Sequence, residues 1–221
     1  MPTANNRPLA GEIRRITPVR GGSGLCVVLA ISCGEQAEER SLTVSVEDYA
    51  GLRFLHPYAK AAGRILDEEQ IAALDEAADR FSAIERGLNL LSYGDATRAG
   101  LARKLRTRGI GRDEAEAAAD ALAARGYIDE DAQVERFLRA ELRKGRGPAR
   151  ILAAPREKQF GDEAIAHLRD AMAEVDFAEI CAAVIEKKYG EFPEEPNAKK
   201  RAIAALMRLG FSYGEIKAAC R

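Results

Sequence analysis

Two hydrophobic periodicities divide the chain. Between residues 11 and 46 the pattern is that of strands. Leu42, Val44 and Val46 alternate with Ser41, Thr43 and Ser45, the period of a half-buried strand. Leu25 to Ile31 is a short, β-rich apolar run, and residues 12–17 form a weaker first strand. Gly21-Gly22-Ser23-Gly24 joins the first two strands and Gly34 opens the second connection, which predicts a small antiparallel meander. A Gly-rich loop of this kind is either a hairpin turn or a phosphate cradle. A phosphate cradle leads into a helix whose N-terminus faces the anion. Here a strand follows, so the turn is expected.

Residues 46–56 read as a short helix or turn, ending at His56-Pro57. From Asp67 the period changes. Asp67 is a good N-cap, with Glu68 and Glu69 in the first turn, where carboxylates complement the helix dipole. Ile71, Leu74, Ala78, Phe81, Ile84, Leu88 and Leu91 then follow helical spacing, as one long helix or two nearly continuous ones.

Beyond this point the chain repeats itself. LARKLRTRGI ends at Ile110, ILAAPREKQF at Phe160 and AIAALMRLGF at Phe211, a period of roughly fifty residues that signals a repeat architecture. Gly109 and Gly210 precede the closing apolar residue in the first and third copies. Gly there fits a helix end in the left-handed conformation. Each copy is preceded by an amphipathic helix: Phe81, Ile84, Leu88 and Leu91; Val134, Phe137, Leu138 and Leu142; Phe177, Ile180, Cys181, Val184 and Ile185. Each is followed by a helix that begins near an acidic residue: Asp113-Glu114, Asp162-Glu163 and Glu215. The expected fold is mainly α, with tandem three-helix repeats stacked into an elongated curved rod and the β meander at the N-terminus. The expected boundaries are a disordered tail over 1–10, the meander and short helix over 11–66, the long helix and first repeat over 67–130, and the second and third repeats over 131–175 and 176–221.

Composition adds little to the fold and more to the function. The chain has 221 residues, 47% apolar and 31% charged, with no Trp and a net charge of −1. That charge argues against a protein that coats nucleic acid indiscriminately. No apolar run approaches the ~20 residues of a membrane span, and the N-terminus lacks the apolar core of a secretory signal. The four cysteines (Cys26, Cys33, Cys181 and Cys220) form no C-x-x-C pair. They are expected to be reduced, Cys26 and Cys181 as small core residues, in a cytoplasmic protein. His56 and His167 are the only histidines, and neither has a partner at metal-ligand spacing. No nucleophile elbow, Walker sequence or zinc-protease motif is present. The expectation is a binding protein, not an enzyme, with no cofactor and no metal.

The charge is clustered in phase with the repeat. Residues 98–112 hold Arg98, Arg103, Lys104, Arg106, Arg108 and Arg112 without an acid. Residues 143–150 hold Arg143, Lys144, Arg146 and Arg150, and residues 199–208 hold Lys199, Lys200, Arg201 and Arg208, again without an acid. One such run is ordinarily a solvated helix face. Three at the same place in three repeats predict a positive stripe for an anionic partner, nucleic acid or an acidic protein groove.

Three passages now resemble the RecX family of bacterial regulators of the RecA recombinase. They are LARKLRTRGIGRDEAEAAADALAARGYIDED (101–131), the basic Gly-Pro passage RKGRGPARI (143–151), and the third repeat from KKYGE through KKRAIAALMRLGFSYGEIK (187–217). The meander and ILDEEQIAAL (65–74) suit the longer members of that family. The resemblance implies a non-enzymatic, monomeric modulator that binds the RecA filament and the single-stranded DNA within it. Such a protein limits filament growth and damps recombination, repair and the SOS response, with weak direct DNA binding. It also implies Leu where Pro155 stands, Gly where Gln159 stands and commonly Phe where Gln133 stands. Pro155 lacks an N–H and clashes with the preceding turn, so the middle repeat's second helix is expected to end near Ala154 and restart at Pro155. The expected partner-binding residues are Arg98, Arg103, Lys104, Arg106, Arg108, Arg143, Lys144, Arg146, Arg150, Lys199, Lys200 and Arg201. The alternative is a stand-alone DNA-binding protein of winged-helix type.

Overall fold

A computed structural model describes residues 10–33 and 36–220. The expected tail over 1–10, apart from Ala10, and the turn at Gly34 lie outside the described residues. Three strands run β1 (Ala10–Pro18), β2 (Gly24–Cys33) and β3 (Gln36–Ser45), followed by α1 (Val46–Gly51), two short 3-10 turns and β4 (Ile65–Leu66). Nine helices complete the described chain. They are α2 (Glu68–Ser92), α3 (Arg98–Arg106), α4 (Arg112–Ala124), α5 (Glu130–Arg143), α6 (Pro148–Glu157), α7 (Asp162–Ala173), α8 (Phe177–Tyr189), α9 (Pro196–Arg208) and α10 (Tyr213–Ala219).

By internal contacts the chain forms two units. One runs up to Leu90 and adds Leu105–Ala121; the other holds Leu91–Lys104 and the chain from Leu122 onward. In the first, the sheet order is β3-β2-β1-β4, all antiparallel. Ile13 pairs with Leu29 and Ile16 with Val27, with a register shift between Ile13 and Arg15. This bulge puts Ile13 and Ile16 on the same buried face although they are three residues apart. The broken alternation is why β1 reads weakly in sequence. The inner face (Ile13, Leu25, Val27, Leu29, Ile31 and Val44) forms one core with Ile71, Leu74, Ala77 and Ala78 of α2. Arg40 to Asp75 (2.9 Å) and Arg80 to Asp48 (2.8 Å) hold α2 to β3 and α1. The Gly-rich loop is the hairpin turn expected. Gly21 and Gly22 adopt positive φ, and the Val19 N–H donates to the Gly24 carbonyl at 2.9 Å.

α2 is a single helix. The Asp67 carboxylate accepts from the Gln70 N–H (2.8 Å), and the Gln70 side chain accepts from the Asp67 N–H (3.2 Å), a reciprocal cap.

In the second unit, α5 to α7 enclose Val134, Phe137, Leu138, Ile151, Leu168 and Met172. α8 to α10 enclose Cys181, Ile185, Leu206, Phe211 and Ile216, and Phe177 packs against both clusters. Cys181 is a core residue as expected, and burial pushes its thiol up to about 11. Cys26 is only partly buried and Cys220 is exposed.

The middle repeat corrects one expectation. α6 runs unbroken through Pro155, which is buried. Pro155 sits in the last turn, so the helix forgoes one hydrogen bond there and not a run of them. Lys158 and Phe160 still donate to the carbonyls of Ala154 and Pro155 at 3.2 Å.

Candidate partner-binding surface

All three second helices end in the same way. The N–H groups of Ile110, Phe160 and Phe211 reach back to the carbonyls of Leu105, Pro155 and Leu206 at 3.3, 3.2 and 3.3 Å. The residue before each has positive φ: Gly109 at 85°, Gln159 at 60° and Gly210 at 100°. This is the six-to-one helix ending that satisfies orphan carbonyls. The middle copy keeps the geometry without the glycine.

The basic clusters differ in how committed their side chains are. On α3, Leu101, Ala102 and Leu105 are buried while Arg98, Arg103, Lys104 and Arg106 are exposed, with exposed Arg108 just beyond. The N-terminus of α3 is held from α5. Glu130 Oε1 accepts from the Arg98 N–H at 2.7 Å, its Oε2 accepts from the Gly161 N–H at 2.9 Å, and Gln133 Nε2 donates to the Ala96 carbonyl at 3.1 Å. One carboxylate thus caps the starts of α3 and α7. Sequence reading missed this role, because the spacing to Arg98 and Gly161 exceeds thirty residues.

The middle cluster is largely occupied. Lys144 Nζ lies 2.5 Å from Glu141, and the half-buried Arg146 lies 3.9 Å from the same carboxylate. Residues 143–150 are acid-free, but Glu141 stands just before them at helical i,i+3 spacing from Lys144, a neighbour relation legible in the sequence. Arg150 donates to the Arg208 carbonyl at 3.3 Å. Around it the lead-in to α6 docks onto the end of α9. The Gly147 N–H donates to the Leu209 carbonyl (2.8 Å) and the Ala149 N–H to the Gly210 carbonyl (3.1 Å). The positive end of one helix therefore meets the negative end of another. A Cβ at Gly147 would stand 2.4 Å from Gly210 C and Phe211 N, so only Gly permits the approach. Arg143 is exposed at the end of α5.

On α9, Lys199, Lys200 and Arg201 are exposed. Three cations near a helix N-terminus oppose the dipole. Glu195 offsets them by accepting from the N–H groups of Asn197 (3.0 Å) and Ala198 (2.6 Å), and these bonds lower its pKa. Lys199 precedes the Leu209 carbonyl by ten residues, so the basic start of α9 lies about 15 Å from the α6 junction.

Among the described residues, no group of three or more His, Cys, Asp and Glu side chains is placed to hold a metal ion, and no helix is long and apolar enough to cross a membrane. His167 lies 3.6 Å from Glu135, with its Nε2 otherwise without a hydrogen-bond partner.

Comparison with known proteins bears on the whole arrangement. Residues 174–220, which contain α8 to α10, match the family model described as RecX, third three-helix domain. The chain is 32% identical over 136 residues to the regulatory protein RecX of Halorhodospira halophila, covering 61% of this chain and 84% of that one. It is 33% identical over 139 residues to the regulatory protein RecX of Xanthomonas axonopodis pv. citri, covering 62% and 85%. A crystal structure of a regulatory protein RecX superposes with a TM-score of 0.69 at 23% identity, over 94% of this chain and 98% of that one. RecX from Lactobacillus salivarius superposes with a TM-score of 0.54 at 22% identity, over 64% and 94%. These two structures speak to the fold alone.

Proposed function

The chain belongs to the RecX family, a family of regulatory proteins, and from that premise we propose that it binds the RecA filament on single-stranded DNA and limits its growth or activity without catalysing a reaction itself. Recombination, DNA repair and the SOS response would be damped in consequence. The observation that carries the reading is the pair of acid-free basic runs on α3 and α9, whose cationic side chains are exposed while the same helices bury Leu101, Leu105, Ala202 and Leu206. Cations held on rigid helices attract a phosphate backbone without sequence preference. The net charge of −1 keeps that attraction local, which suits a partner offering both DNA and protein surface better than bare duplex. Arg103, Lys104, Arg106 and Arg108 on the first repeat and Lys199, Lys200 and Arg201 on the third are the leading contacts. Arg98 and Arg143 flank them, whereas Lys144, Arg146 and Arg150 serve the fold.

The test is a titration of the protein into RecA with single-stranded DNA. ATP hydrolysis is expected to slow at substoichiometric ratios. No slowing at any ratio, together with tight binding to duplex DNA alone, would replace this reading with that of a stand-alone DNA-binding protein.

A further inference from the structure

The third repeat carries a groove that its own packing leaves open. Lys199 and Ile203 of α9 form one wall, Tyr213, Ile216 and Lys217 of α10 with Cys220 at its C-terminal end form the other, and Phe192 from the preceding loop closes a space of about 310 Å³. The spacings i,i+4 on α9 and i, i+3 and i+4 on α10 place each set on a single helix face. Tyr213 is 62% exposed at the edge of the groove. Met207, four residues beyond Ile203, is 54% exposed and prolongs the apolar strip along α9. The lining is aliphatic, aromatic and thiol apart from two charged residues, both lysines, and the nearby Glu195 is engaged in capping α9. Among the described residues neither Lys199 nor Lys217 has an ion-pair partner. The acid of α10, Glu215, is engaged in capping: its Oε2 accepts from the Ser212 N–H at 2.7 Å.

We propose that this groove docks an acidic peptide segment bearing one bulky apolar side chain. The side chain packs on Phe192, Ile203 and Ile216 beneath Tyr213, and the flanking carboxylates face Lys199 and Lys217. Charge complementarity selects the class of partner. Ile203 and Ile216 suit a bulky apolar side chain, and a base buried between them would leave its hydrogen-bonding edge unsatisfied. The inference rests on the filament reading for the identity of the natural partner, to which it gives a place on the third repeat; the chemistry of the groove stands without it.

The experiment uses the full chain and a fluorescein-labelled synthetic peptide with a central Phe between runs of Asp and Glu, read by anisotropy without RecA. Saturable binding is expected, and the same peptide with Ser for Phe should bind at least tenfold more weakly. The double variant Lys199→Glu with Lys217→Glu, and separately Tyr213→Ala, should each weaken binding at least fivefold while the circular dichroism melt stays unchanged. The two variants approach the groove independently, so a misfolded charge reversal leaves the Tyr213→Ala result decisive. Equal binding by the variants, no peptide binding, or displacement of the peptide by oligo-dT would each overturn the proposal. A chain that slows RecA ATP hydrolysis yet ignores the peptide would sink the groove and spare the filament reading. The converse pattern would do the opposite.

Discussion

Gln159 occupies a backbone conformation, φ 60°, that its counterparts Gly109 and Gly210 adopt without a side chain. The left-handed region costs a residue with a Cβ about 1–2 kcal/mol. Its Oε1 is also buried without a hydrogen-bond partner, a further cost to the native state. Gln159→Gly relieves both at the expense of a more flexible unfolded chain, so a net gain of about 0.5–1 kcal/mol is expected. Urea denaturation would measure it, and a midpoint that falls would show that the Gln side chain contributes packing outweighing the strain.

At the scale of elements, the junction of α6 with α9 decides how the second and third repeats meet. It consists of backbone hydrogen bonds from Gly147 and Ala149 and one guanidinium bond from Arg150. Such contacts need main chain against main chain, which the missing Cβ of Gly147 allows. Gly147→Ala is expected to cost about 1–3 kcal/mol through forced separation of the two helix ends. Gly51→Ala provides the comparison, since a Cβ there meets nothing within 4 Å, and it should change stability by less than about 0.5 kcal/mol. A Gly147→Ala melt matching that of Gly51→Ala would mean the junction yields easily.

At the scale of the whole molecule, the cationic helices can be tested apart from the fold. Arg103, Lys104 and Arg106 are exposed on α3, whose buried face is Leu101, Ala102 and Leu105. Reversing Arg103 and Arg106 to Glu should leave the melting curve in place and raise at least fivefold the amount of protein needed to slow RecA ATP hydrolysis. The loss should shrink as salt is added, because exposed charges are screened. An unchanged titration with an unchanged melt would remove α3 from the interface.

The sequence alone determined the helices, the meander and the three-fold repeat, because each leaves a local trace: a period of two, a period near 3.6, and a Gly-apolar ending that recurs. It also marked the clusters of positive charge. It missed β4, whose two residues are too few to carry a period, and the bulge at Arg14, which breaks the alternation of β1. It misjudged Pro155 by treating a last-turn proline as an interior one. Only the tertiary structure decided which cations are committed. Glu130 caps Arg98 and Gly161 across more than thirty residues, and Gly147 meets Gly210 across more than sixty. The Arg208 carbonyl draws Arg150 into the fold across 58 residues, whereas the pairing of Lys144 with Glu141 is local and stands in the sequence. A run of charges is a local property that can be read along the chain, but whether a charge is free to meet a partner depends on what the fold brings beside it.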